Sequence, residues 1–131
     1  MLSFDKYGLN QNLLKSINEL KFNKPTSIQD KVIPQILSSE SDIIATAQTG
    51  TGKTAAFVLP IIQKLFENKG REKDKRPYAL VLAPTRELVI QISESIAHYG
   101  SFLNLRQVSI YGGVGMRPQI ISLQRGTDII I

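Results

Sequence analysis

Asp42-Ile43-Ile44-Ala45-Thr46-Ala47-Gln48-Thr49-Gly50-Thr51-Gly52-Lys53-Thr54 is the stretch that decides the fold. Its first six residues are mostly apolar with β-branched side chains, which predicts a buried strand. Gln48 to Gly52 make a loop containing two glycines, and Thr54-Ala55-Ala56-Phe57-Val58-Leu59 leads out as a helix-compatible segment. Glycines let the backbone curl until successive N–H groups face one point, and the start of a helix adds partial positive charge there. Such a turn is built to hold an anion. Lys53 can bring an ammonium to that point, and Thr54 a hydroxyl.

Strand, glycine-containing loop and Gly-Lys-Thr opening a helix together form the P-loop arrangement. Ala47, Gln48, Thr49, Gly50, Thr51, Gly52, Lys53 and Thr54 are therefore candidates for binding a nucleotide's phosphates. Lys53 would reach the β- and γ-phosphates and Thr54 would ligate Mg²⁺, which makes these two the catalytic candidates. The strict pattern has glycine where this chain has Ala47. That position closes the strand, where φ is negative and alanine fits. A Gly/Thr-rich turn that joins strand to helix and binds nothing is the plain alternative.

The chain has 131 residues, 42% of them hydrophobic and 21% charged, which suits one soluble domain able to bury a core without staples. It has no cysteine, which excludes a disulfide framework and a thiolate metal site. Met1-Leu2-Ser3-Phe4-Asp5-Lys6 lacks the basic and long apolar regions of a secretory signal, and no run reaches membrane-spanning length. The expectation is a cytoplasmic protein without membrane contact. A net charge of +5 suits a polyanionic partner such as nucleic acid. Part of that excess lies in Gly70-Arg71-Glu72-Lys73-Asp74-Lys75-Arg76-Pro77, which reads as a solvated loop.

Leu13, Leu14, Ile17 and Leu20 fall at helical spacing, with Asn10 or Asn12 available as a cap. Thr26 can cap a second helix carrying Ile28, Val32, Ile33, Ile36 and Leu37, which Pro34 is expected to kink or restart. The helix after the P-loop should run to about Glu67. A second strand is predicted over Tyr78 to Ala83, then a helix capped by Thr85 and ended by Gly100. A third strand over Gln107 to Tyr111, a short helix from about Pro118 to Arg125, and a fourth strand from Thr127 to Ile131 follow. This alternation predicts an α/β fold, a parallel sheet with helices on both faces. Residues 1–38 read as a helical extension and 39–131 as the sheet-bearing part. The final Asp128-Ile129-Ile130-Ile131 is an apolar strand with no turn, cap or polar tail, so the chain reads as a truncated piece of a larger domain.

Three further elements, with the P-loop, resemble the DEAD-box ATP-dependent RNA helicases. Phe22-Asn23-Lys24-Pro25-Thr26-Ser27-Ile28-Gln29 is similar to that family's Q motif, and Phe4 to its isolated upstream aromatic. Pro84-Thr85-Arg86-Glu87-Leu88 resembles motif Ia, and Gly112-Gly113 the RNA-contacting glycine pair. The resemblance covers Phe4 to Ile131, with Lys21 standing where the family usually has glycine. It implies the front portion of a first RecA-like domain that binds ATP or ADP with Mg²⁺. In it, Gln29 reads the adenine edge, Phe22 lies against the base, and Thr26 helps tie the Q motif to the P-loop. Pro84, Thr85, Arg86, Gly112 and Gly113 would meet the sugar–phosphate backbone of single-stranded RNA, largely without regard to sequence. On their residue types alone, Gln29 also fits a solvent-facing helix position and Phe22 a core aromatic. Thr85 likewise fits a simple cap, and the glycine pair a simple turn.

The family's acidic Asp-Glu-Ala-Asp box, its Ser-Ala-Thr element and its second RecA-like domain, the partner that supplies arginine fingers, are not in this chain. The implied parent activity is unwinding or remodelling of RNA driven by ATP. A non-catalytic module binding nucleotide or RNA, and a P-loop NTPase acting on another substrate, are the rival classes.

Overall fold

Residues 3–68 and 70–131 are described by the structure, a computed structural model. After a 3-10 turn at Ser3–Tyr7, α1 runs from Gln11 to Glu19. The Asn10 side chain caps it by accepting from the Asn12 N–H at 2.8 Å. It ends in a Schellman turn, in which the Lys21 N–H donates to Asn18 O at 2.9 Å and the Phe22 N–H to Ile17 O at 3.1 Å. Lys21 holds the left-handed conformation at φ 58° that this turn demands. The glycine expected there from the family pattern thus has a local cause: the position closes a helix.

α2 spans Ser27–Ser38 and α3 spans Lys53–Glu67, and the two pack against each other. Pro34 was expected to kink or restart the second helix, yet α2 runs through it as one element. Pro34 and Asp30, four residues before it, are both exposed, so water can satisfy the carbonyl that the proline leaves unpaired. Then come β1 (Ala79–Leu80), α4 (Arg86–Tyr99), β2 (Gln107–Val108), α5 (Met116–Arg125) and β3 (Ile129–Ile130). The sheet order is β1-β3-β2, all parallel, with Ala79 and Gln107 both in register with Ile129. Backbone bonds carry the pairing a little further, from the Val81 N–H to Ile130 O at 2.8 Å and from the Ile110 N–H to Ile131 O at 2.8 Å. The last strand is therefore central, with a neighbour on each side.

The predicted strand at 42–47 is the main departure. Among the described residues no strand forms there, and Ile44 is 97% exposed. An apolar β-branched run becomes a strand only when another strand takes up its backbone groups, and the three-stranded sheet does not reach it. One core unites Phe4, Leu13 and Ile17 with Ile33, Leu59, Ile62, Ile96 and Ile129. Along the β1 edge burial alternates, with Val81 turned inward and Leu82 left 84% exposed. None of the helices among the described residues is long and apolar enough to cross a membrane.

Residues 70–77 are not simply a solvated loop. Arg71 opens a short 3-10 turn (Arg71–Lys73) and is 3% exposed, its guanidinium 4.2 Å from the Phe66 ring. Its Nη1 donates to the fully buried Asp128 carboxylate at 2.5 Å, and its Nη2 to Asn104 O at 3.2 Å. Arg106 completes the cluster through its backbone N–H at 2.9 Å and its Nη2 at 2.7 Å, both to Asp128. Burial alone would raise the Asp128 carboxyl, but the Arg106 hydrogen bonds and the charges of both arginines overcome it and hold the group below its ordinary value.

Two outcomes follow for stability. Replacing Lys21 by glycine should raise it by about 0.5–1 kcal/mol, the left-handed penalty less the entropy a glycine adds to the unfolded chain. Asp128→Asn should lower it by about 3–5 kcal/mol by leaving buried arginine charge without its partner. Urea unfolding measures both. Because the folded Asp128 carboxyl is more acidic than the unfolded one, its contribution is complete above the ordinary value of 3.8 and drains away as pH falls below it. The gap between the parent protein and Asp128→Asn should therefore narrow in acid.

Candidate functional site

Gly50 and Gly52 bracket the tip of the phosphate-loop candidate at φ 80° and φ 82°. Gly52 is the N-cap of α3, and among the described residues no side chain caps that end and no acid stands in its first turn. The other long helices are handled differently, with Thr26 capping α2 and Thr85 capping α4. The first N–H groups of α3 thus remain available to an anion, with the helix dipole behind them. Lys53 is exposed and its Nζ lies 2.6 Å from Ala47 O, so the ammonium reaches back across the loop. Thr51 Oγ1 donates to Gln48 O at 2.6 Å and tightens the same turn. Thr54 is half-buried in the first turn of α3.

Gln29 is 3% exposed and joins this loop to α2. Its Oε1 accepts from the Thr26 N–H at 2.9 Å, while Thr26 Oγ1 accepts from the Gln29 N–H, a complete capping box. Its Nε2 donates to Gly52 O at 3.1 Å. The Q-like segment is therefore tied to the P-loop by Gln29 itself, with Thr26 holding Gln29 in place. Thr26 thus helps tie the segment to the loop through Gln29. An amide offers two N–H groups and two lone pairs, so one of each stays uncommitted. Phe22 is half-buried, its ring centroid 6.2 Å from that of Tyr99, and packs on the main core. These contacts are those of a core aromatic.

A cleft of about 520 Å³ runs between α2 and residues 43–47. Thr26, Lys31, Gln35 and Ala47 are among its walls, but Lys53 and Thr54 are not. It is the open flank of the unpaired 42–47 segment and meets the candidate phosphate loop at Ala47 and Thr51.

The motif Ia residues and the glycine pair meet at the carboxyl ends of β1 and β2. Thr85 Oγ1 accepts from the Leu88 N–H at 3.2 Å, and Pro84, Thr85 and Arg86 are all exposed. The Arg86 guanidinium stands 4.9 Å from the Tyr111 ring centroid. Gly113, at φ 83°, lies below it, where an added Cβ would come 3.4 Å from Arg86 Nη1. Gln119 accepts from the Tyr111 N–H at 3.1 Å and donates to Gly115 O at 3.1 Å, which braces the turn containing Gly112 and Gly113. For Tyr111 the sequence offers a signal, an aromatic directly before paired glycines. For Gln119 it offers none, because the contact depends on how α5 folds back.

A family model described as DEAD/DEAH box helicase matches residues 26–131. The chain belongs to the DEAD/DEAH box helicase family. It is 39% identical over 129 residues to a probable ATP-dependent RNA helicase, DDX46, of Homo sapiens, covering 98% of this chain and 12% of that one. To the ATP-dependent rRNA helicase RRP3 of Debaryomyces hansenii it is 46% identical, again over 98% of this chain and 26% of that protein. A solved DEAD box protein from Methanococcus jannaschii superposes with a TM-score of 0.88 at 40% identity, covering 100% of this chain and 34% of the other. The RNA helicase Prp28 from Chaetomium thermophilum, solved bound to ADP, gives 0.85 at 39% identity over 99% of this chain and 31% of that one. The chain thus spans between an eighth and about a third of the length of these relatives.

Within this DEAD-box chain, the meeting of Gln29 and Gly52 yields a sharp test. Gly50→Ala and Gly52→Ala both impose a left-handed alanine, costing about 1–2 kcal/mol. Nothing lies within 4 Å of a Cβ added at Gly50, whereas one added at Gly52 would collide with the Gln29 amide. Gly52→Ala should therefore lose about 1–3 kcal/mol more in urea unfolding, because Gln29 must leave its capping position.

Proposed function

We propose that this chain is the nucleotide-binding front of the first RecA-like domain of an ATP-dependent RNA helicase. Residues 1–38 form its helical Q-motif extension, and 39–131 its sheet-bearing part. The observation that carries the reading is the Gln29 bond to Gly52. It puts a buried amide with one free N–H and one free lone pair beside the Gly50–Gly52 loop. Adenine requires a donor and an acceptor side by side, and guanine presents the wrong pair to the same amide. Base and phosphates would then be held by two ends of one connected unit.

The residues present fit a magnesium nucleotide. The N–H groups at the start of α3 would take the phosphate oxygens and Lys53 would place a charge beside the β- and γ-phosphates. Thr54 would offer its hydroxyl to Mg²⁺, which when bound offsets phosphate charge. Thr85, Arg86 and the backbone at Gly112 and Gly113 would hold single-stranded RNA by its phosphates, a mode tolerant of sequence. A second RecA-like domain in the longer parent would close over both ligands. Hydrolysis needs positioned acidic and arginine groups beyond those in residues 1–131, so this stretch alone binds nucleotide without turning it over.

The parent helicase should bind ADP more tightly than GDP, and Gln29→Ala should weaken ADP by about 1–3 kcal/mol. Fluorescent-nucleotide titration reads this, and equal affinity for the two bases would refute the adenine assignment. Lys53→Ala should abolish RNA-stimulated phosphate release and leave the melting temperature nearly unchanged, since the ammonium is exposed and bonded only to a loop carbonyl among the described residues.

A further inference from the structure

We infer that Tyr111 is a positioning residue that presents the Arg86 guanidinium to the nucleic-acid backbone, an inference that rests on the RNA-contact reading above. Arginine on an exposed helix start has many rotamers, and ordering it to meet a phosphate costs conformational entropy. An ion pair with a carboxylate would order it but would also consume its charge and its N–H donors. Among the described residues no carboxylate pairs with Arg86. Its guanidinium instead lies 4.9 Å from the Tyr111 ring centroid. A cation–π contact consumes no carboxylate partner and needs no N–H donor, so the guanidinium keeps its donors for phosphate oxygens.

Two further observations bear on the same point. A Cβ at Gly113 would come 3.4 Å from Arg86 Nη1, an ordinary contact distance, so the guanidinium rests beside the glycine turn. The φ of 83° at Gly113 turns the backbone under it. Tyr111 is itself steady. It is half-buried against the main core, and Gln119 accepts its backbone N–H at 3.1 Å and donates to its carbonyl at 3.5 Å. Because Gln119 grips only the main chain of Tyr111, replacing the ring leaves those bonds in place. The fork of Arg86, the exposed turn and the helix start at Thr85 are thereby set in one fixed arrangement.

The test is binding of fluorescein-labelled single-stranded polyuridine RNA by the full-length helicase, read by anisotropy across a salt series, with ADP affinity and melting temperature as controls. Tyr111→Leu should weaken RNA about two- to fivefold, the worth of a cation–π contact at an exposed site. Tyr111→Phe, which keeps the ring, should bind like the parent. Arg86→Ala should weaken RNA and lower the salt slope by about one, as loss of one phosphate contact does. In the Arg86→Ala background, Tyr111→Leu should add nothing. ADP affinity and melting temperature should stay level throughout; if Tyr111→Leu lowers melting, Tyr111→Met carries the comparison. An equal loss from Tyr111→Leu with and without Arg86 would overturn the inference while leaving the RNA-contact reading intact. No effect of Arg86→Ala would overturn both.

Discussion

One buried carboxylate, Asp128, holds together three stretches of chain that meet nowhere else in sequence. Its oxygens accept from Arg71, from the side chain of Arg106 and from the Arg106 backbone. A charge with no exposed surface is tolerable only when matched on this scale. The match sits where β3 begins, so it seats the central strand between β1 and β2 and seals the Arg71–Lys73 turn over the Phe66 end of α3. The cluster thus anchors the start of β3 to Arg71 on one side and to Arg106, just ahead of β2, on the other.

Parallel strands end on the same edge, and loops that follow them share that edge. This is why Pro84–Arg86 and Gly112–Gly113, 26 residues apart between Arg86 and Gly112 in the chain, come together. The helix start at Thr85, the guanidinium of Arg86 and the glycine turn form one exposed surface with a positive charge in its middle. Each part has an internal support: the Thr85 cap, the Tyr111 ring and the Gln119 amide.

The Gln48–Gly52 loop is supported in another way. Segment 42–47 leads into it without sheet partners, so its shape rests on α3 and on the buried Gln29 amide. The same amide completes the capping box of α2, which makes the first turn of α2 and the last residue of the loop one mechanical unit. A change at either end is felt at the other.

Local chemistry made much of this protein legible from sequence. The caps Asn10, Thr26 and Thr85, the helix stop at Gly100 and the glycine loop before Lys53 depend on neighbours within a few residues, and the periodicity of apolar side chains marked the helices. Tertiary structure decided what depends on distant partners. The apolar segment 42–47 has strand character but no strand beside it, while the final isoleucines became the central strand. Pro34 stayed inside a helix because its open side faces water. Arg71, one of several charges in a polar run, is buried because Asp128, 57 residues away, requires a counter-charge. Gln29 took its bond to the loop from Gly52, which only folding brings near, since a side chain's bonds are set by what the fold places within about 3 Å of it.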